Sequence, residues 1–291
     1  MMFRIGILGT ENTHANKFAG FINQPMEDGK FRYPDCRVTC VYGLYPESNE
    51  KIVKESNIEC IAESIDEMLD KVDAVMVTAR DGIYHYPFAK KFIEKGIPAF
   101  IDKPFTVDSD EAIEFISLAK EKGAFLNGGS SLKFSKDIIR LKEIAEKNEV
   151  LNGAVFAPIR LNSEYSGFYF YASHLVEMTL EIFGYDPKSV TAERYEKSIT
   201  ATINYDTFSV TNHFNERIDK YAVGICTNEG VELCNVDLSD CAAGECDAFV
   251  EMLRSGKMYN TYEQLIIPVF YMNAVEKAYK TGEKITIEFG E

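Results

Sequence analysis

Positive charge is what this sequence is short of. Against 46 Asp and Glu it sets 31 Lys and Arg, a formal net charge of −15 over 291 residues. Nothing in that balance would neutralise phosphates along an extended face, so nucleic acid is excluded as a partner. Long apolar runs are missing too. None approaches the roughly twenty residues that span a bilayer, and no membrane segment is expected. The chain enters a strand pattern at once (MMFRIGILG), so no signal peptide is expected and the expected location is cytoplasmic. The seven cysteines, at 36, 40, 60, 226, 234, 241 and 246, include no CxxC pair, and their odd number leaves one over. That suits reduced thiols serving as small core hydrophobes, not a disulfide framework. The histidines are scattered without metal-ligand spacing, so no metal is expected.

What is present is an ordinary globular composition, 46% hydrophobic and 26% charged, at a length that suits two modest domains. The first half alternates strand and helix. FRIGILG, CRVTCVYG, DAVMVTA, AFID and AFLNGG read as strands. Between them lie ANKFAGFINQ, an acidic stretch ending near Leu69, YPFAKKFIEKG and DSDEAIEFISLAKEKG as helices. Strands separated by helices of this length imply right-handed βαβ units and a doubly wound parallel sheet. After about residue 127 the rhythm changes. One helix, SKDIIRLKEIAEKN, leads to strands at VLNGAVFAPIRLN, SVTAERYE, SITATINY, TFSVTNHFN, YAVGICTN and GVELCNV. Several alternate apolar and polar residues, as an antiparallel sheet with one covered face requires. Helices near 244–255 and 261–281 follow, with ITIEF as a final strand. The expected class is therefore α/β: a doubly wound domain over 1–126 and an α+β domain with a large, mostly antiparallel sheet over 127–291.

AFIDKPF, residues 99–105, is the segment that points to chemistry. Its apolar strand ends in Asp102-Lys103-Pro104, and the proline stops the ladder directly after the lysine. In a doubly wound sheet the carboxyl ends of strands face the ligand crevice. Lys103 either serves chemistry there or snorkels to solvent.

The order of these pieces resembles the Gfo/Idh/MocA oxidoreductase family, which includes glucose–fructose oxidoreductase and inositol dehydrogenase. Asp102-Lys103-Pro104 matches the family's Glu-Lys-Pro, and TARDGIYH, with Thr78, Ala79 and His85, matches its strand-end segment followed by His. FYASHLVE with His174 matches in part the Asp-x-Gly-x-His-x-x-Asp helix start, and AVEKAYKTGEKITI looks like the closing helix and strand. The resemblance implies a Rossmann domain binding NAD or NADP through the turn Gly9, Thr10, Glu11, Asn12, Thr13 and His14. It extends that site to Thr78, Ala79, His85, Asp102, Lys103 and Pro104. It also implies a sugar or cyclitol substrate, with Lys103 and His174 as the catalytic pair that handles the proton, and a homo-oligomer, a dimer being expected. A base with pKa near working pH moves a hydroxyl proton best, and histidine starts near that range.

The sequence departs from the family in four places. Glu11 stands where the dinucleotide fingerprint has its second glycine, and His14 takes the third. A carboxylate aimed at a diphosphate would cost about 1–4 kcal/mol, unless it swings outward. Gly43 occupies the place of the ribose-binding acid, which leaves NAD against NADP open. Phe170 replaces the family aspartate before His174; with Tyr165, Phe168, Tyr169 and Tyr171 it makes an aromatic surrounding for a substrate or a piece of core strand. Asp102 shortens the usual glutamate. Glu177 either orients His174 from one helical turn away or caps the helix. Lys133 either binds a substrate anion or is solvated at a helix entrance, and His213 is expected to be structural. Three readings stay open: a dehydrogenase, a redox-neutral NAD-using glycosidase or lyase, and a binding protein with a decayed cofactor turn.

Overall fold

The computed structural model describes residues 2–288. Thirteen strands and nine helices follow one another among them. In the first half these are β1 (Phe3–Leu8), α1 (Thr13–Asn23), β2 (Cys36–Tyr42), α2 (Pro46–Ser56), β3 (Cys60–Ile61) and α3 (Ile65–Met68). Then come β4 (Ala74–Val77), α4 (His85–Glu94), β5 (Ala99–Asp102), α5 (Ser109–Lys122) and β6 (Leu126–Gly129). The strands form one six-stranded sheet in the order β3-β2-β1-β4-β5-β6. The pairings of β1 with β2 and β4, of β2 with β3 and of β4 with β5 are parallel. This is the doubly wound order, in which the chain reverses direction across the sheet at β1 and β4.

Local sequence accounts for these elements. Asn12 caps α1 by accepting from the His14 amide, and Ala15, Phe18, Ala19 and Ile22 form its buried stripe. Phe18 and Ile22 each contribute roughly 1.5–3 kcal/mol when fully buried. Asp108 accepts from the Glu111 amide at the start of α5, and Gly123 closes that helix with φ +67°. The acidic stretch after β2 is not one helix. It breaks at Asn57 into α2, the two-residue β3 and α3.

Strand β3 also corrects the cysteine expectation. Parallel register sets Cys40 opposite Cys60, with Cα atoms 4.4 Å apart, and the two are joined as a disulfide. A sequence separation of 20 hid a pairing that only sheet order creates. Cys36, Cys226, Cys234, Cys241 and Cys246 are free thiols.

The second half begins with α6 (Lys136–Lys147), β7 (Val150–Pro158), α7 (Tyr169–Phe183), β8 (Ser189–Arg194), β9 (Ser198–Asn204) and β10 (Ser209–Asn215). It continues with β11 (Ala222–Thr227), β12 (Gly230–Asn235), α8 (Cys241–Ser255), α9 (Tyr262–Thr281) and β13 (Ile285–Thr286). Phe289 of the expected last strand lies outside the described residues. Seven strands pair in the order β12-β11-β7-β10-β9-β8-β13, antiparallel except for β7 with β10. Strands β9 and β10 alternate strictly between buried and half-buried residues. Helix α7 is buried at every residue except Tyr169 and Tyr171, and its apolar side chains join Val155, Ile199, Ile203, Val210 and Phe214 in one core. Outside that core Phe156 is exposed with His213 stacked on it at 4.6 Å, so His213 is a sheet residue.

The chain divides into two compact units. The first holds Met1–Thr106, Ile113–Gly128 and Ala242–Leu265; the second holds Val107–Ala112, Gly129–Cys241 and Ile266–Glu291. The first core therefore includes Cys246, Phe249, Val250 and Met252 from α8, which a split at 126/127 assigns to the other domain.

Candidate functional site

In the first unit, functional side chains gather where β1, β4 and β5 end. Gly9 leaves β1 at φ +88°, and a Cβ there would lie 2.2 Å from the Ala79 amide nitrogen, so only glycine allows this turn. The Thr78 hydroxyl donates to the Gly9 carbonyl at 2.7 Å and is fully buried, which fixes the turn against β4. Thr10 donates to Asn49 Oδ1 at 2.6 Å, and Asn49 donates to the Gly43 carbonyl at 2.9 Å. A Cβ on Gly43 would meet both Asn49 Oδ1 and Thr10 Oγ1, at 2.6 and 2.7 Å. The Thr10–Asn49 pair thus fills the space in which a ribose-binding carboxylate would start.

Glu11 does not swing free. Its Oε1 accepts from the Arg80 amide at 2.8 Å, so the carboxylate is tied to the chain that follows β4. His14 reaches the end of β5, with Nδ1 3.1 and 2.9 Å from the two Asp102 oxygens. Asn12 Nδ2 donates to Asp102 Oδ2 at 3.0 Å, and the Lys103 amide donates to Asp102 Oδ1 at 2.7 Å. Asp102 is completely buried. Burial raises its pKa, but the charge and hydrogen bond of His14, with Lys103 and His85 behind them, outweigh that and hold it at about 2. His14, Asn12 and Asp102 therefore lace the dinucleotide turn to the lysine strand. Lys103 is 6% exposed and precedes a cis peptide bond to Pro104.

His85 is expected either to line a cofactor mouth or to be satisfied by backbone. It is fully buried, with Nδ1 2.7 Å from the Pro104 carbonyl and Nε2 2.8 Å from the Ala79 carbonyl. Both ring nitrogens serve the backbone, so His85 ties the end of β4 to Pro104. Thr13 stands at the first position of α1. Asn127, on β6, is a residue the sequence reading passed over: its buried Nδ2 has no hydrogen-bond partner among the described residues.

In the second unit, the cluster forms around His174 on α7. Ser130 Oγ lies 2.7 Å from His174 Nδ1 and accepts from the Leu132 amide at 3.2 Å. The Ser130 amide donates to Glu177 Oε2 at 2.7 Å, and Lys133 Nζ lies 3.3 Å from the same oxygen. Gly129, at φ +90°, leaves room for that carboxylate, since a Cβ would stand 2.2 Å from Glu177 Oε2. Burial pushes the Glu177 pKa up, and Lys133 and the Ser130 amide oppose this without overcoming it. Lys133 is not a solvated lysine at a helix entrance, being 2% exposed. Ser130 is what sequence reading missed; Ser-Ser-Leu-Lys after Gly-Gly looks like a surface cap. Phe170 belongs to a helix, not to a core strand, and its ring lies 5.3 Å from Tyr165. Tyr171 and Tyr221 flank the His174 ring at 6.3 and 6.1 Å. Among the described residues no cluster could hold a metal ion, and no helix is long and apolar enough to cross a membrane.

The chain thus holds a doubly wound unit with a lysine at a strand end and a second unit with a mostly antiparallel sheet. Residues 3–129 match the model of the Gfo/Idh/MocA family, described as an oxidoreductase family with an NAD-binding Rossmann fold. An uncharacterized oxidoreductase of Schizosaccharomyces pombe is 24% identical over 207 residues, 65% of this chain and 55% of that protein. A UDP-N-acetylglucosamine 3-dehydrogenase of Acidithiobacillus ferrooxidans is 27% identical over 124 residues, 41% of this chain. The chain spans about half the length of the first relative, 55%, and about a third of the second, 34%. A scyllo-inositol dehydrogenase from Lactobacillus casei, solved with NAD(H) and scyllo-inositol, superposes with TM-score 0.85 at 13% identity. That superposition covers 99% of each chain, and at such identity it shows a shared fold.

Proposed function

We propose that this protein is an NAD(P)-dependent dehydrogenase that interconverts a hydroxyl and a carbonyl on a sugar, cyclitol or related polyhydroxy compound. The observation that carries the reading is Lys103, buried at the carboxyl end of β5 beside a carboxylate saturated with hydrogen bonds, in a unit of an NAD-binding family. The residues present fit a dinucleotide. The Gly9 turn admits close approach, the α1 start offers backbone amides to an anion, and Asn127 Nδ2 is a buried donor awaiting a partner. Gly9, Thr10, Asn12 and Thr13 would hold the pyrophosphate end. With Glu11 engaged by the Arg80 amide, its charge is partly met inside the protein. No carboxylate addresses the adenosine ribose at Gly43, so the residues favour neither NAD nor NADP.

When bound, the dinucleotide supplies hydride acceptance and donation. The protein supplies positioning and proton handling: in the first unit the Lys103 ammonium is suited to polarising a reacting oxygen, and in the second unit His174 is suited to hydrogen-bonding a substrate oxygen. Tyr165 and Phe170 offer ring faces to the CH face of a sugar. Exposed Val231 and Leu233 on β12 support pairing of two copies through the second sheet, which sedimentation would test. The function itself is tested by titrating the protein with NAD(H) and NADP(H), then assaying turnover over a panel of inositols and sugars. Saturable binding with turnover of a panel member is expected; no affinity for any of the four forms would remove the reading.

A further inference from the structure

We infer that Arg160 is a specificity-determining residue that binds the carboxylate of an acidic polyhydroxy substrate, a uronic or aldonic acid. The inference deepens the dehydrogenase reading and rests on it for the reaction, but not for the carboxylate site, which lies wholly within the second unit.

Sheet register builds the site. Strand β7 ends at Pro158 and β11 begins at Ala222, and the two are antiparallel neighbours with Ala222 opposite Phe156. Arg160, just beyond β7, and Tyr221, just before β11, therefore stand at the same end of the sheet. Helix α7 packs on β7 and adds its first turns there. The Arg160 guanidinium lies 6.0 Å over the Tyr171 ring, and the His174 ring has Tyr171 at 6.3 Å and Tyr221 at 6.1 Å. Tyr171 adjoins both Arg160 and His174, so a carboxylate held at the first leaves neighbouring hydroxyls of the same molecule to the second.

The donors in this group are unspent. A guanidinium carries five N–H donors, and among the described residues Arg160 makes one long hydrogen bond, to the Ile159 carbonyl at 3.4 Å. Glu216, the carboxylate that feels its charge, is engaged elsewhere: Oε1 accepts from the Leu161 amide at 3.1 Å, and Oε2 lies 3.3 Å from Lys197 Nζ. The Tyr171 and Tyr221 hydroxyls have no hydrogen-bond partner among the described residues. Burial, and then Tyr171, push the Tyr221 pKa up, so that phenol stays a donor. A planar fork takes both oxygens of a carboxylate, and phenol hydroxyls can reach its remaining lone pairs. One cation answers one negative charge, which favours a carboxylate over a phosphate dianion. Phe170, with its ring 5.0 Å from that of Tyr171, adds an apolar face that strengthens such a pair. In a chain of net charge −15, an acidic substrate needs a local cation of this kind.

The test is calorimetric titration of the full-length protein with glucuronate, galacturonate and gluconate against glucose, galactose and glucitol, with a glucose phosphate ester as a further arm. At least one acid should bind about tenfold or more tighter than its neutral counterpart, and the preference should shrink as salt rises. Arg160→Gln should abolish the preference. Arg160→Lys should restore only part of it, because an ammonium keeps the charge but not the fork. Arg160 is exposed, so both variants should fold, which circular dichroism checks. In turnover, Arg160→Gln should raise KM for the acid and leave KM for its neutral counterpart unchanged. Equal affinity for acids and neutral counterparts in the wild type would overturn the inference. So would unchanged acid affinity in folded Arg160→Gln, or tighter binding of the phosphate ester than of every acid. NAD(H) and NADP(H) titration of the same samples separates the two readings. Arg160-dependent acid binding without dinucleotide affinity removes the dehydrogenase and leaves the carboxylate site, whereas turnover of neutral sugars alone removes the site and leaves the dehydrogenase.

Discussion

Each unit buries a carboxylate beside a candidate catalytic residue, and the two carboxylates are treated in opposite ways. Asp102 receives His14, Asn12 and the Lys103 amide, and its pKa falls to about 2 despite complete burial. Glu177 receives one ammonium and one amide, and burial prevails, so its pKa rises. The difference lies in how many donors converge, not in depth. Asp102 is a fixed anion that anchors the turn and the lysine strand. Glu177 is a carboxylate whose charged form burial disfavours, which makes its pairing with Lys133 replaceable.

The comparison can be broken by mutation. The largest effect is expected at the residue that Asp102 precedes. Lys103→Ala should lower turnover by about 10²–10⁴, as loss of a group handling a proton does, while dinucleotide affinity measured by calorimetry stays within a few-fold. Next comes Asp102→Ala, which strands His14 beside an empty buried position and should cost about 3–5 kcal/mol in denaturant unfolding. Lys133→Met should cost less than Asp102→Ala, because Glu177 can protonate once its partner is gone. Its penalty should shrink as pH falls, since removing Lys133 raises the Glu177 pKa further. Equal, pH-independent losses for the two variants would refute the contrast.

The acid limb gives a smaller effect of defined sign. A folded-state pKa of about 2 against the ordinary 3.8 means that Asp102 stabilises the fold above the unfolded value. That contribution, about 2 kcal/mol, is lost as pH falls through the folded value. Asp102→Asn should remove this part of the acid dependence, read as a flatter midpoint-against-pH curve between those two values. At the turn, Gly9→Ala should cost about 1–3 kcal/mol for a side chain at φ +88° against the Ala79 backbone, checked by thermal unfolding.

Much of the fold was legible beforehand, and the contrast between the two carboxylates was hidden for physical reasons. Strand–helix alternation and the Asp-Lys-Pro stop are local patterns, so the doubly wound sheet and Lys103 could be read from them. The alternating strands from Ser189 to Val236 announced the second sheet in the same way. Contacts created by sheet order were not legible: the Cys40–Cys60 link exists because β3 lies beside β2. The reach of His14 across to Asp102, 88 residues away, has the same origin. Ser130 was missed, and the burial of Lys133 was not read, because Gly-Gly-Ser-Ser-Leu-Lys has the composition of a surface turn. Helices α6 and α7 pack against that turn and bury it.

The central claim is that the lysine strand and the dinucleotide turn form one working half-site. Isothermal titration of the wild type and of Lys103→Ala with NAD(H) and NADP(H), alongside Asp102→Asn, tests it most directly. The account predicts saturable binding of at least one dinucleotide, kept in Lys103→Ala and weakened in Asp102→Asn, where the lacing of the turn is cut. Binding to none of the four forms by the folded wild type would contradict it.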